Sequence, residues 1–120
     1  MTKKIYEIDF VLSKVNDLKR TADKVNFNGD LIHMNSQRYH LFKERGTVCV
    51  ACGLKGQYFV KEKTRKDYPY HFNLYGIDEN NEEMMLTKDH VMPKSKGGSN
   101  HISNYQTMCK KCNGEKADKV

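Results

Sequence analysis

Apolar residues near the N-terminus recur at alternating steps of four and three positions. The stretch from Asp9 to Val25 carries them at Val11, Val15, Leu18, Ala22 and Val25. That period is typical of an amphipathic helix. Asp9 is placed to cap the helix, and the turn-forming residues 26–30 would end it. We therefore predict a helix that packs its apolar face on the core, with a DNA-contacting or dimerising helix as the alternative.

A second, shorter helix is predicted from Ser36 to Gly46. Serine is a favourable N-cap and glycine a favourable residue at a helix end. His33 and His40 lie in or beside this region without a partner at metal-ligand spacing, so we interpret them as surface or packing histidines. The residues available for burial are Tyr39, Leu41 and Phe42.

From Tyr58 the pattern changes to short strands. Tyr58–Val60 and residues 71–77 are rich in aromatic and β-branched residues, and the polar cluster 78–83 suits a hairpin turn. The return strand over residues 84–88 would deliver Asp89 and His90. Beyond it we predict a loop over residues 92–103, because of Pro93 and Gly97-Gly98, then a short strand over 105–108 and a helix over 109–118.

Composition and charge narrow the class of protein. Of 120 residues, 38% are hydrophobic and 30% charged, which suits one small α+β domain with a thin core that a structural metal would help. Lysine and arginine number 21 against 15 acidic residues, a net charge of +6 that favours a polyanionic partner. The basic run 61–66 suits either a phosphate contact or a solvated loop, because Glu62 and Asp67 dilute it.

The four cysteines form two pairs with the spacing of metal ligands. No apolar run reaches membrane-span length and the first residues lack a signal-peptide core, so we expect a cytoplasmic protein with reduced thiols. Four thiolates in two CxxC turns suit a closed, structural tetrahedral zinc site, with redox dithiols or unrelated thiols as the alternatives. The pairs are Cys49 with Cys52 and Cys109 with Cys112.

An acid, an imidazole and an amide lie near the second pair. Hydrolysis of a phosphodiester needs a base for water and a cation for the phosphate, and His90 and Asp89 suit these two tasks. Mg²⁺ takes few protein ligands, so one carboxylate and one amide oxygen would suffice. Asn113 shares a helix face with Cys109, which would let it point back at Asp89 if the strand bends or ends there.

Together these residues resemble the HNH endonuclease family, in its zinc-bound, four-cysteine branch of the ββα-metal fold. The resemblance covers roughly residues 48–118 and leaves residues 1–45 outside. From the two predicted helices we expect residues 1–46 to form an N-terminal helical extension that packs on an HNH nuclease core with its zinc site, residues 47–120. The positions that carry the resemblance are Asp89-His90, Pro93, Gly97-Gly98, Asn104, Cys109-x-x-Cys112-Asn113-x-x-Lys116 and the upstream Cys49-x-x-Cys52-Gly53.

The resemblance implies a DNA nuclease and assigns roles to its residues. His90 would be the general base, and Asp89 and Asn113 would hold one catalytic Mg²⁺ or Mn²⁺. Asn104 would fix the loop and orient His90 by hydrogen bonding. Asn113 stands where many relatives have histidine, which leaves the metal preference open. The candidate nucleic-acid contacts are Lys94, Lys96, Lys110, Lys111, Lys116 and the run 61–66.

Three functions are compatible with these features. The first is a metal-dependent endonuclease that hydrolyses DNA phosphodiesters. The second is a non-catalytic, zinc-stabilised module that binds nucleic acid, and the third is a small zinc-stabilised interaction protein. The set of Asp89, His90, Asn104 and Asn113 favours the first.

Overall fold

The structure is a computed structural model that describes residues 4–119. Within these residues it contains a five-stranded sheet, a two-stranded sheet and three helices. The strands are β1 (Lys4–Tyr6), β2 (Lys24–Phe27), β3 (Asp30–His33), β4 (Gly56–Glu62), β5 (His71–Ile77), β6 (Glu83–His90) and β7 (Tyr105–Cys109). The helices are α1 (Ile8–Leu12), α2 (Gln37–Arg45) and α3 (Lys110–Lys116), and single 3₁₀ turns cover Lys94–Lys96 and Ile102–Asn104.

The larger sheet is antiparallel throughout, with strand order β1-β4-β5-β6-β7. The prediction of an α+β fold is confirmed, and β5 covers the predicted residues 71–77. β6 runs on to His90, so the strand does end at the Asp89-His90 pair. α3 lies against β6 and β7, which places the last helix over the strand that carries this pair.

One aromatic core joins the N-terminal segment to the sheet. The ring of Phe72 on β5 contacts the ring of Phe27 edge to face at 4.8 Å, and it also contacts Tyr6 and Phe59. Edge-to-face pairs add to the burial of apolar area. The division between residues 1–46 and 47–120 stays a prediction; in the structure, the first segment adds β1 to the common sheet. Among residues 4–119 no helix has the length and apolar character needed to cross a bilayer.

The second predicted helix is confirmed by its caps. The Ser36 hydroxyl accepts a hydrogen bond from the Arg38 backbone N–H at 3.3 Å, which satisfies one of the free donors at the start of α2. Gly46 follows the last turn with φ 96°, a conformation that glycine adopts without strain. The residues buried on α2 are Tyr39, Leu41 and Phe42, as predicted.

The prediction of a helix over residues 9–25 is wrong. α1 ends at Leu12, its N-cap is Glu7, and Asp9 lies inside the first turn. β2 and β3 form a hairpin with Phe27 paired to Asp30, so Asn28 and Gly29 make a two-residue turn with φ 56° and 97°. Positive φ at both positions is what a type I′ hairpin turn requires, and Asn-Gly is its preferred sequence. Residues 24–33 therefore belong to the hairpin, and the predicted helix cannot extend to Val25.

The basic run 61–66 is divided between core and surface. Lys61 is 5% exposed, and its ammonium donates to the Phe27 carbonyl at 2.9 Å and to Asp30 Oδ2 at 2.7 Å. A lysine this deeply buried, with its ammonium held by two acceptors of the protein, is not accessible to a phosphate, so the prediction of a phosphate contact is wrong for Lys61. It ties the β2–β3 hairpin to β4 instead.

We expect Lys61→Met to lower the free energy of unfolding by about 1–3 kcal/mol, because the Phe27 carbonyl and the half-buried Asp30 carboxylate lose their donor. Urea denaturation followed by circular dichroism measures this loss. Lys24→Met, an exposed lysine of the same hairpin, is the control and should change the value by less than about 0.5 kcal/mol. Equal stability of the two variants would show that the Lys61 bonds do not hold the hairpin.

Candidate active site and metal centre

The loop after β6 is fixed by its proline and its two glycines. The Pro93 carbonyl accepts hydrogen bonds from the N–H groups of Lys96 at 2.9 Å and Gly98 at 3.0 Å. A Cβ atom on Gly98 would lie 1.8 Å from the Met92 carbonyl oxygen, so no other residue fits there without moving the loop. Gly97 has φ 89° and closes the short 3₁₀ turn. These contacts hold the loop in one defined conformation at the end of β6.

Asp89 is a buried carboxylate with one oxygen occupied. It is 5% exposed, and its Oδ2 accepts from Gln106 Nε2 at 2.9 Å and lies 3.3 Å from Lys116 Nζ. Gln106 is its ladder partner on β7. Within residues 4–119, Oδ1 accepts no hydrogen bond. That oxygen is the one available to a hard cation.

His90 contacts a different set of groups, because successive residues of a strand leave opposite faces. Its Nε2 lies 3.0 Å from Asn100 Oδ1, and its ring packs edge to face on Tyr105 at 4.8 Å between centroids. An amide oxygen accepts, so this contact assigns the ring proton to Nε2. Nδ1 then keeps the lone pair that can take a proton.

Asn113 points its amide toward β6. Its Nδ2 donates to Thr87 Oγ1 at 2.9 Å, and that hydroxyl in turn donates to the Met108 carbonyl at 2.7 Å. Within the described residues its Oδ1 accepts no hydrogen bond. Thr87 therefore orients the amide so that its oxygen is the end that remains available.

A cleft between the end of β6 and α3 brings three of the predicted residues together. It has a volume of about 290 Å³ and is lined by Asp89, His90 and Asn113, with Lys116 and the loop residue Lys94 at its sides. A free carboxylate oxygen and a free amide oxygen match the preference of Mg²⁺ for hard oxygen donors. The donor set therefore fits one divalent cation.

The four cysteines form a cluster at the N-terminal end of α3. Their sulfurs all lie within 4.8 Å of one another, and the Cys52 and Cys109 sulfurs are 3.8 Å apart. Zinc–sulfur bonds of about 2.3 Å in a tetrahedron place two sulfurs about 3.8 Å apart. The cluster is compatible with a closed zinc site, as predicted.

Backbone N–H groups face the sulfurs in both CxxC turns. The Cys52 N–H points to the Cys49 sulfur at 3.5 Å, and the Cys112 N–H to the Cys109 sulfur at 3.4 Å. Burial raises the pKa of the Cys49 thiol, but hydrogen bonds from the backbone N–H groups of Cys109, Cys52 and Ala51 outweigh burial and lower the pKa to about 7. A thiolate, the form that binds metal, is therefore favoured at Cys49.

The C-terminal part of the chain matches a known protein family. Residues 78–120 match the family model of the HNH endonucleases. This HNH segment begins in the β5–β6 turn and contains Asp89, His90 and the second cysteine pair; Cys49 and Cys52 lie outside it. No curated protein and no solved structure matches the chain.

Asn104 of the HNH segment holds the loop from within. Its Nδ2 donates to the Met92 and Ser99 carbonyls at 3.0 and 2.8 Å, and its Oδ1 accepts from the Met92 N–H at 2.9 Å. Within residues 4–119, the ring of His90 donates its hydrogen bond to the Asn100 amide oxygen instead. The contacts expected of Asn104 within the loop are present, and its orientation of His90 stays a prediction, since among the described residues Asn104 makes no hydrogen bond with the His90 ring.

The predicted lysine contacts of the HNH segment fall into two groups. Lys116 is largely buried, and its ammonium donates to the His90 carbonyl at 2.8 Å as well as pairing with Asp89. Lys116 therefore lines the cleft, and its ammonium could contact a phosphate only after leaving the His90 carbonyl and the Asp89 carboxylate. The lysines that are exposed are Lys94, Lys96, Lys110 and Lys111.

Three orienting residues of the HNH segment were not predicted. Thr87 and Gln106 hold the two candidate ligands, and Asn100 holds the imidazole. The period of two along a strand would have placed Thr87 on the face of Asp89. The roles of Gln106 and Asn100 could be predicted only from the strand register and the loop conformation, which a local sequence pattern does not contain.

Proposed function

We propose that this protein is a metal-dependent HNH endonuclease that hydrolyses DNA phosphodiester bonds. The observation that carries the proposal is the shared cleft of Asp89, His90 and Asn113 inside the segment that matches the family. Phosphodiester hydrolysis needs a base, a cation site and room for a phosphate, and this cleft offers all three.

His90 acts as the general base on the attacking water. Its Nε2 proton is engaged by Asn100 Oδ1, so the proton from water goes to Nδ1. The Tyr105 ring on one side and the Asn100 amide at the far nitrogen restrict rotation of the imidazole. Holding a base in one orientation lowers the entropy lost on reaching the transition state.

Asp89 and Asn113 would hold the catalytic cation through their free Oδ1 atoms. When bound, a Mg²⁺ or Mn²⁺ ion supplies positive charge that stabilises the phosphate and the departing oxygen. Gln106 and Thr87 keep the two side chains in place from behind. Lys116 neutralises Asp89 Oδ2, so the cation meets a carboxylate with one oxygen already paired.

The four thiolates would hold a structural zinc ion that supports the cleft. Four sulfurs fill a tetrahedral zinc and leave no position for substrate. Cys109 begins α3 and Cys112 lies in it, so the zinc would fix the helix that also carries Asn113. The exposed lysines of the HNH segment and the net charge of +6 support DNA, or another nucleic acid, as the partner.

One observation favours a second function, that of a non-catalytic nucleic-acid-binding module. The Lys116 ammonium already balances the Asp89 carboxylate, and an ion pair of this kind can replace a metal as a structural contact. Under this alternative the purified protein binds DNA in a salt-dependent way and does not nick it, whichever metal is added.

The test is a titration of Mg²⁺ and Mn²⁺ in plasmid cleavage by wild type and Asn113→Ala. We expect the wild type to nick supercoiled plasmid only when a divalent cation is added. Asn113→Ala should need several-fold more metal and regain part of the rate in Mn²⁺, because water can replace a lost ligand. Its zinc content should be unchanged, since the amide faces Thr87 and not the sulfurs.

Asn113→His is the matched variant for this titration. It restores a metal-binding side chain at the same position and should retain activity, with a shift toward metals that accept imidazole. If Asn113→Ala has the wild-type metal dependence, Asn113 is not a ligand. If wild type binds DNA but fails to nick it in every metal tested, the non-catalytic module is the better account.

A further inference from the structure

A second groove lies beside the catalytic cleft and is lined by aromatic and basic side chains. It has a volume of about 540 Å³ and lies between α2, the end of β3 and the segment before β5. Its aromatic wall is Tyr68 and Tyr70, and its fixed positive charges are Arg38 and Lys88. None of the residues that line it, all in the described part of the chain, is acidic.

The groove adjoins the catalytic cleft at Lys88. Lys88 lines both, and its ammonium donates to Gln37 Oε1 at 3.2 Å. Gln37 Nε2 donates to the Asn100 carbonyl at 3.0 Å, and the Asn100 amide contacts His90. A chain that leaves the catalytic imidazole on this side therefore enters the groove next.

A cation lies over the ring of each of the two tyrosines that form the aromatic wall. The Arg65 guanidinium lies 4.9 Å from the Tyr68 centroid, and the Lys63 ammonium lies 4.7 Å from the Tyr70 centroid. Tyr68 is 45% exposed, so ring surface remains open to solvent. Aromatic rings beside cations are the features with which proteins stack bases and follow a phosphate backbone.

His71 adds ring surface without adding charge. Burial, together with the nearby Arg38 guanidinium, lowers the pKa of His71, so it is neutral at pH 7. The groove thus combines an uncharged, ring-lined wall with positive charge from lysine and arginine. That pairing suits nucleic acid better than an acidic peptide, which has charge but few flat rings to stack.

From these contacts we infer that the groove binds unpaired bases of a nucleic-acid strand next to the scissile phosphate. Bases inside a duplex already stack on each other and cannot offer their faces to Tyr68 and Tyr70. The preferred substrate is then DNA with a single-stranded segment beside the cut, such as a flap, a gap or a branch. This inference rests on the proposed function for the position of the cut, but the groove can be tested by binding alone.

The experiment measures binding in a His90→Ala background, where no cleavage interferes. Fluorescence anisotropy is recorded for a labelled oligothymidylate of about 12 nucleotides and for a duplex of the same length. In the Tyr68→Leu, Tyr70→Leu double variant, affinity for the single strand should fall about 10-fold or more. Affinity for the duplex should change less than about 3-fold, because phosphate contacts carry it.

Matched variants separate stacking from stability. The Tyr68→Phe, Tyr70→Phe double variant keeps the rings and should bind like the parent. Phe10→Leu removes another exposed ring that has a lysine over it, but one outside the groove, and should also bind like the parent. Tyr68→Leu alone removes only an exposed ring, so it tests the groove if the double variant unfolds.

An equal loss for single strand and duplex, or no loss for either, would overturn the inference. Stronger competition by polyglutamate than by the unlabelled oligonucleotide would also overturn it and indicate an acidic peptide. Failure of the nuclease proposal has a different signature, namely no plasmid nicking by wild type in any metal while binding of the oligonucleotide still depends on Tyr68.

Discussion

Replacement of His90 by alanine is expected to lower the rate of DNA cleavage by about 10²- to 10⁴-fold, the usual contribution of a general base. Nδ1 is the ring atom left to take a proton from water, because Nε2 is engaged by Asn100. No added cation supplies a base, so raising Mg²⁺ or changing to Mn²⁺ should not restore the rate. Single-turnover cleavage of a labelled DNA measures the loss.

Two controls belong with His90→Ala. His101→Ala removes an exposed histidine of the same loop whose ring contacts Ser103, and it should keep the wild-type rate. Asn100→Ala frees the imidazole and should lower the rate less than His90→Ala, because the base remains but is no longer oriented. DNA affinity and zinc content should stay at wild-type values in all three variants. A wild-type rate for His90→Ala would exclude His90 as the base.

Replacement of Cys112 by serine is expected to release zinc and lower the melting temperature by about 10 °C or more. Structural zinc contributes on the order of 10 kcal/mol to folding in small domains, and the thin core here has little to offset its loss. Activity should fall as well, since Cys112 and Asn113 lie on the same helix. Metal analysis of the purified protein, with thermal unfolding by circular dichroism, measures both effects.

Val50→Ser is the matched control for the zinc site. Val50 lies between the two cysteines of the first CxxC turn and is 59% exposed, so it should keep about one zinc per chain and the wild-type melting temperature. Wild-type zinc content and stability in Cys112→Ser would show that this thiol is not a ligand. Chelation by EDTA does not replace these variants, because it removes the zinc and the catalytic cation together.

Strong local patterns predicted much of the fold. The strand over residues 71–77, the Ser36 cap and the Gly46 end of α2 follow from short-range preferences, and all three are confirmed. The helix over residues 9–25 failed because its three-four spacing also fits a short helix followed by a hairpin. The Asn28-Gly29 pair, flanked by alternating residues, was the available signal for that hairpin.

The residues of the candidate site were predictable from the sequence, but the neighbouring residues that orient them were not. Asp89, His90 and Asn113 were identified from the sequence, and the structure lines one cleft with them. The residues that orient these side chains were not predictable, because their positions depend on strand register and loop conformation. Gln106, for example, lies opposite Asp89 on β7 and donates to its carboxylate.

The local sequence also did not predict which lysines are available to bind a nucleic acid. Lys61 lies in a basic run, yet its partner Asp30 is on a hairpin far away in the chain. Lys116 was predicted to meet DNA and instead pairs with Asp89. Long-range pairs of this kind decide whether a charge is available, and a local sequence pattern does not contain them.

The central claim is that the cleft of β6 and α3 hydrolyses DNA, and one measurement tests it most directly. Supercoiled plasmid is incubated with zinc-loaded wild type and with His90→Ala at equal zinc content, with and without Mg²⁺ or Mn²⁺. The account predicts nicked circles with wild type in the presence of added cation and none above background with His90→Ala. Equal nicking by the two proteins, or intact plasmid with wild type in every metal, would contradict it.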